Sequence, residues 1–416
     1  MEESGGISMS VVTLANAFLI DCTGAEPKQG ASIVIENGRI RDVLDTSAAG
    51  SGDVIDLGGK TLMPGLIDAH VHACAVQANP AEQHRNLPPS YIAVQAMLKL
   101  EQMLQMGFTT VRDAGGADFG FRQAVEDGHI KGPRMKVSGN HLYQTGGHGD
   151  KRRPAELCTC VAATDVGLVG AVADGPHEMR KAVRENLRRH ADQIKLMCSG
   201  GAMSPGDELD VAQFTLEEIR VAVEEATAAN RYVMAHAYSG AAVMNAARAG
   251  VRSIEHGNLI TEEAAIAVRD ADAWLVPTLA VYEALSRHGK EFNIPPFQLQ
   301  KVEAARNSGL RGLEIAYRAG LKIGTGTDLL GTMVKYQPME LELKAEVMTP
   351  MESLLSATRT NAELMRMADL TGTVEPGKYA DLIVVEGNPL KEIALFQDPA
   401  RMLMVMKAGR IYRNLL

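Results

Sequence analysis

The chain has 416 residues, of which 46% are hydrophobic and 22% charged, an ordinary globular composition with enough apolar material for one large domain and one small one. A formal net charge of −9 and only 4% aromatics argue against nucleic acid or an anionic membrane as the main partner. The start, Met1-Glu2-Glu3-Ser4, lacks the basic and apolar regions of a signal peptide, and no apolar run approaches the ~20 residues that span a bilayer. Five cysteines, with only Cys158 and Cys160 close together, read as reduced thiols of a cytoplasmic protein.

From Val11 to Thr61 the pattern is short strands and tight turns. Asn37-Gly38 between Ile33-Val34-Ile35 and Ile40 is a two-residue hairpin signal. The far end repeats the style, with strands at Ala380–Val385 and Met402–Met406 and a hairpin over Lys407–Tyr412. Each end alone is too small to bury a core. Residues 1–62 plus 372–416 are therefore expected to form one composite β-sandwich domain built from both termini.

Residues 63–371 alternate β-type and helix-type segments. Eight strand candidates stand out: Leu66–His72, Phe108–Asp113, Met135–Ser138, Ile194–Met197, Tyr232–His236, Ser253–His256, Trp274–Pro277 and Leu321–Gly324. Amphipathic stretches such as Leu216–Ala229 and Val302–Ala319 follow most of them. Eight β-then-α units fit an α/β fold of (β/α)₈ TIM-barrel type. A doubly wound sheet is the runner-up, without a Gly-rich nucleotide fingerprint to support it. The long connections near 140–175 and 278–300 fall where barrel rims build substrate pockets.

Candidate chemistry sits at these strand ends. In Asp68-Ala69-His70-Val71-His72, residues two apart on a strand point the same way, so His70 and His72 aim together and are placed to grip a metal. Lys195 is flanked by Ile194 and Leu196, which suit the outer helices, so the lysine points inward, where a lone ammonium is costly. His236 and His256 close two further segments, and each alone reads as a satisfied core histidine. Asp328 follows the last strand and alone reads as a helix N-cap. Asp113 reads as structural.

Jointly, His70, His72, Lys195, His236, His256 and Asp328 resemble the amidohydrolase superfamily, and the likeness covers nearly the whole chain, the split β domain included. The resemblance implies that His70, His72 and Asp328 hold the more buried of two divalent metals and that His236 and His256 hold the second. It also implies that Lys195 is carboxylated and bridges both. Zinc suits such donors, although cobalt and manganese fit as well. Single-metal deaminases of the superfamily lack the strand-four lysine and carry a glutamate just after the strand-five histidine. Here Ala237-Tyr238-Ser239 follows His236, which favours the binuclear hydrolases. In these a hydroxide shared by the metals attacks a carbonyl, and Asp328 would shuttle its proton to the leaving amine.

Within the superfamily, Gln144-Thr145-Gly146-Gly147-His148-Gly149-Asp150 is similar to the branch of Xaa-Pro dipeptidases, Xaa-Arg carboxypeptidases and ochratoxinase-like amidohydrolases. That branch cleaves the last peptide or N-acyl bond before a C-terminal residue. The likeness implies that His141 and Tyr238 donate to the scissile carbonyl or its oxyanion, and that His148 and Tyr143 bind substrate. Arg152 and Arg153 could meet a substrate carboxylate, with a solvated loop face as the default. Small or apolar C-terminal residues, proline included, are expected, because no acidic pair can be placed to receive a cationic side chain. The implied partners are a small dipeptide or N-acyl amino acid and further copies of the chain in a homo-oligomer. Competing readings are a cyclic-amide hydrolase similar to imidazolonepropionase and a non-catalytic scaffold that kept the fold.

Overall fold

The computed structural model describes residues 11–45, 52–153, 155–156, 166–204 and 206–416; Cys158 and Cys160 lie outside them. The N-terminal strands are β1 (Val11–Leu19), β2 (Lys28–Glu36), β3 (Arg39–Leu44), β4 (Asp53–Asp56) and β5 (Thr61–Pro64). Between β2 and β3, Asn37 and Gly38 take φ of 53° and 76°, the left-handed pair that a two-residue hairpin turn demands.

The central strands are β6 (Leu66–Val71), β7 (Phe108–Asp113), β8 (Arg134–Val137), β9 (His141–Tyr143), β10 (Gly170–Val172), β11 (Ile194–Met197), β12 (Val233–Ser239), β13 (Ser253–Leu259), β14 (Trp274–Val276) and β15 (Lys322–Ile323). They form two all-parallel sheets, β6-β7-β8 and β10-β9-β11-β12-β13-β14-β15. Backbone bonds cross both borders: Ala69 N–H to Thr325 O at 2.8 Å, and Asp192 N–H to Val137 O at 2.7 Å. Helices return the chain between strands. Leu216–Ala228 starts on a capping box of Thr215 and Glu218, and Gly240–Ala249 starts on Ser239 and ends at Gly250 with φ 89°, as helix termini favour. Ile194, Leu196, Ile254 and Leu275 pack with Ile219, Ala246 and Val268 in one buried cluster between sheet and helices. Each isoleucine, leucine or valine among them contributes roughly 1.5–3 kcal/mol by leaving water. Among the described residues no helix is long and apolar enough to cross a membrane.

The C-terminal strands are β16 (Leu382–Val385), β17 (Met402–Lys407) and β18 (Arg410–Asn414). β5 lies between the two chain ends, parallel to β1 and antiparallel to β16, giving one sheet of order β18-β17-β16-β5-β1-β2-β3 with β4 on β1. The ends thus make one continuous sheet where two stacked sheets are expected from the sequence, because β5 joins both groups of strands. The sheet curls until its hairpin tips touch: the Cβ position of Gly38 lies 2.6 Å from the Ala408 carbonyl oxygen.

Two strands run longer than their sequence signals. β12 and β13 continue three residues past His236 and His256, because Ala237 pairs with His256 and Ser239 with Leu259. The connection after β14 is not open loop either; it holds the helix Leu279–His288.

Candidate active site

β6 passes directly from the terminal sheet, through Gly65, into the first histidine pair. His70 is fully buried and His72 nearly so, with ring centroids 5.4 Å apart. Each is fixed by its Nδ1, His70 by the Glu255 carboxylate at 2.7 Å and His72 by Gly115 O at 2.8 Å. His256 Nδ1 is held by the Thr278 hydroxyl at 2.7 Å. His236 reverses the pattern, its Nε2 donating to Gly200 O at 2.9 Å. One ring nitrogen of each histidine is therefore spent on a protein partner, which orients the other, as around metal-bound imidazoles.

The remaining atoms converge. Asp328 Oδ1 lies 3.6 Å from His70 Nε2 and 3.3 Å from His72 Nε2, and Lys195 Nζ lies 3.4 Å from His70 Nε2. The His256 ring is 5.0 Å from that of His70 and 4.5 Å from that of His236. One donor atom each from His70, His256 and Asp328 fall within 4.8 Å of one another, a spacing that fits a shared divalent ion. His256 and Asp328 both adopt left-handed backbone, φ 72° and 54°, an unfavourable state for these residues that concentrates at functional sites.

Electrostatics agree with the donor set. Burial pushes the imidazoles of His70, His236 and His256 well below their ordinary range, so each is neutral with a lone pair to give. Burial raises Asp328, but His70, His72 and Lys195 outweigh it and bring the carboxyl down to about 2. Burial lowers the Lys195 amine to about 8 against the attraction of Glu255 and Asp328.

One cavity takes in His70, His72, Lys195, His236, His256 and Asp328 together with His141, His148 and Tyr238. Both ring nitrogens of His141 and Nδ1 of His148 are buried without a hydrogen-bond partner among the described residues. His148 stacks on His236 at 4.3 Å, in space that only a glycine at 201 leaves, since a Cβ there would sit 2.1 Å from the ring. Tyr238 stacks on His256 at 5.1 Å and meets the Tyr282 hydroxyl at 2.5 Å. Tyr143 is not brought to the cavity wall; its ring lies behind His141 at 5.8 Å. Arg152 and Arg153 close on Asp150 and Glu82, away from the cavity lining.

Several supporting residues escape the sequence pattern. Glu255 joins His70 to the buried Arg112, 2.9 Å away. Alternation assigns Glu255 and His256 to opposite faces, and the left-handed turn at His256 defeats that rule. Asp68 accepts bonds from the His70 amide, the Thr327 amide and hydroxyl, and Gln337, tying β6 to the segment that carries Asp328. Its signal was present, since Asp68 shares the i, i+2 parity of His70 and His72. Asp113 is structural, as expected, accepting from the amides of Ala73, Gly115 and Ala117.

A histidine, lysine and aspartate cluster thus gathers on parallel strands beside a curled terminal sheet, and the comparisons assign this arrangement to hydrolases of α/β TIM-barrel type with an extra domain. The amidohydrolase family profile matches residues 61–412, and the chain belongs to the amidohydrolase family, whose members generally use divalent metals. It is 33% identical to an ochratoxinase of Aspergillus niger over an alignment of 437 positions, gaps included, covering 97% of this chain and 87% of that protein. A prolidase crystallised with N-methylphosphonate-L-proline superposes with a TM-score of 0.94 at 42% identity, covering 97% of this chain and 100% of that one. A Xaa-Pro dipeptidase with methionine in its active site gives 0.88 at 29% identity over the same shares. These likenesses support amide hydrolysis.

Proposed function

We propose that the protein releases the C-terminal residue of dipeptides or N-acyl amino acids, Xaa-Pro and Xaa-hydrophobic among them, by metal-dependent hydrolysis of the amide bond. The observation that carries this is the meeting of four histidines, Lys195 and Asp328 at one cavity. The similarity to a prolidase and a Xaa-Pro dipeptidase supports the same substrate class. We read the two parallel sheets as one closed (β/α)₈ barrel over 63–371, with the composite domain from 1–62 plus 372–416.

His70, His72 and Asp328 would hold one divalent ion, zinc by donor type, and His236 and His256 a second, with carboxylated Lys195 between them. Bound there, such ions activate water and polarise a carbonyl. Carboxylation needs a neutral amine, which the lowering of Lys195 to about 8 by burial makes more available. Asp328, lowered to about 2, is ionised at neutral pH and can take a proton at its carboxylate oxygen, then give it to the departing nitrogen. Tyr238, held by Tyr282, and His141 are the donors for the scissile carbonyl oxygen. His148 positions the substrate, and Tyr143 acts through His141. Met203, Val281, Leu285 and Leu330 also line the cavity, an apolar wall for a proline or aliphatic side chain.

The test is a panel of Xaa-Pro, Xaa-Leu and Xaa-Arg dipeptides and N-acyl amino acids, run beside imidazolone and hydantoin rings with zinc-loaded protein. Turnover of linear substrates with proline or apolar C-termini is expected. Turnover confined to the rings would overturn the reading.

A further inference from the structure

We infer that Lys151 is a carboxylate anchor, which makes the cavity select substrates that end in a free carboxylate. This rests on the linear-amide reading above and names the group that would enforce it. Of the lysine, arginine, aspartate and glutamate side chains lining the cavity, Lys195 and Asp328 belong to the histidine cluster, and Lys151 is the third. Its Nζ donates to Leu168 O at 2.8 Å, and among the described residues it meets no carboxylate. An ammonium has three donors, so two remain for a ligand. Its backbone is pinned in turn, the Lys151 carbonyl accepting from Arg85 at 3.1 Å.

The neighbouring cations are already committed. Arg152 closes on Asp150 at 2.6 Å, Arg153 on Glu82 at 2.7 Å, and Arg85 on Glu156 at 2.5 Å. The arginine pair that draws attention in the sequence thus leaves the task to the lysine beside it. Beyond the cluster Lys151 is the one lysine or arginine of the described lining, which has no acid besides Asp328; burial and the nearby Arg85 lower its amine to about 7, so a carboxylate seated beside it would also favour its charged form. That pattern complements an anion and gives a substrate ammonium no partner. The C-terminal carboxylate is the anion that every dipeptide and N-acyl amino acid carries, at a fixed distance from the scissile bond.

The experiment compares kcat/KM for L-leucyl-L-proline and its C-terminal primary amide, using zinc-loaded wild type, Lys151→Met and Lys151→Arg. Wild type should favour the acid by about tenfold or more, the effect of one charge-assisted contact in a partly open site. Lys151→Met should erase most of that preference through KM, and Lys151→Arg should keep most of it. A folded, metal-loaded Lys151→Met that retains the wild-type preference within about twofold overturns the anchor, since one charge-assisted contact should move it about tenfold. Inhibition of wild type by L-proline no stronger than by L-prolinamide overturns it too, without relying on any variant. A wild type that cleaves no member of the dipeptide and N-acyl amino acid panel overturns the linear-amide reading instead, so the two failures are distinct.

Discussion

Buried lysines around the strand ends and at the cavity are treated differently. Beneath the strand ends, Lys99 donates to His72 O, Ala75 O and Leu329 O at 2.9, 3.1 and 2.9 Å. Lys344 likewise donates to Gly324 O at 2.6 Å, Thr325 Oγ1 at 2.8 Å, and Ser356 Oγ. Each of these ammonium groups is matched to three oxygens and works as a staple between backbone segments. At the cavity Lys195 is just as buried, yet among the described residues its Nζ meets only a ring nitrogen of His70, at 3.4 Å. A buried cation without oxygen partners is a poor structural element. The contrast separates lysines that hold the fold from the one proposed above to serve the chemistry.

The sharpest way to break this contrast is at the cluster itself. Asp328→Asn should lower turnover about 10²–10⁴-fold, the scale of lost general acid–base catalysis, with circular dichroism unchanged and at least one ion still bound by metal analysis. Next comes Tyr238→Phe, expected to lose about 10²-fold in kcat as one oxyanion donor disappears; wild-type rates would remove it from the mechanism. Glu255→Gln weakens the orienting of His70 and should loosen metal affinity about 10–100-fold, read by chelator competition. The staples give the smallest effect and the most direct comparison. Lys99→Met should cost about 1–3 kcal/mol in denaturant unfolding by stranding buried carbonyls, whereas Lys195→Met in metal-free protein should be neutral or stabilising. Equal losses at both lysines would erase the distinction.

The gathering of the candidate ligands at one cavity was legible because each ends or follows a β-type segment whose apolar neighbours fix its direction. Ile194 and Leu196 give Lys195 away, and the period-two rule gives away His70 with His72. The supporting groups were not, because their partners lie far off in sequence. Glu255 and His70 are 185 positions apart, and Thr278 and Tyr282 lie at and beyond the start of a helix in what reads as a loop. The hairpins at Asn37-Gly38 and Ala408-Gly409 were readable from turn chemistry alone. The joining of both ends through β5 was not, since parallel and antiparallel pairings of one short strand leave no local mark. Tyr143 belongs to the same motif as His141 and sits with its ring 5.8 Å from that imidazole, outside the cavity lining, a placement the motif alone does not specify.

That shared strand bears on biosynthesis. β5 stands four residues before Asp68, and one of its two neighbours is β16, whose Leu382 pairs with Pro64, while Gly65 N–H bonds Asp381 O at 2.8 Å. A nascent chain still short of residue 382 on the ribosome has no partner for that edge, so the platform beneath His70 is finished only as the last strands emerge. Premature termination between Glu255 and β16 would leave that edge of β5 without its antiparallel partner, while the groups that hold His70 and His72, Glu255 and Gly115 O, are already made.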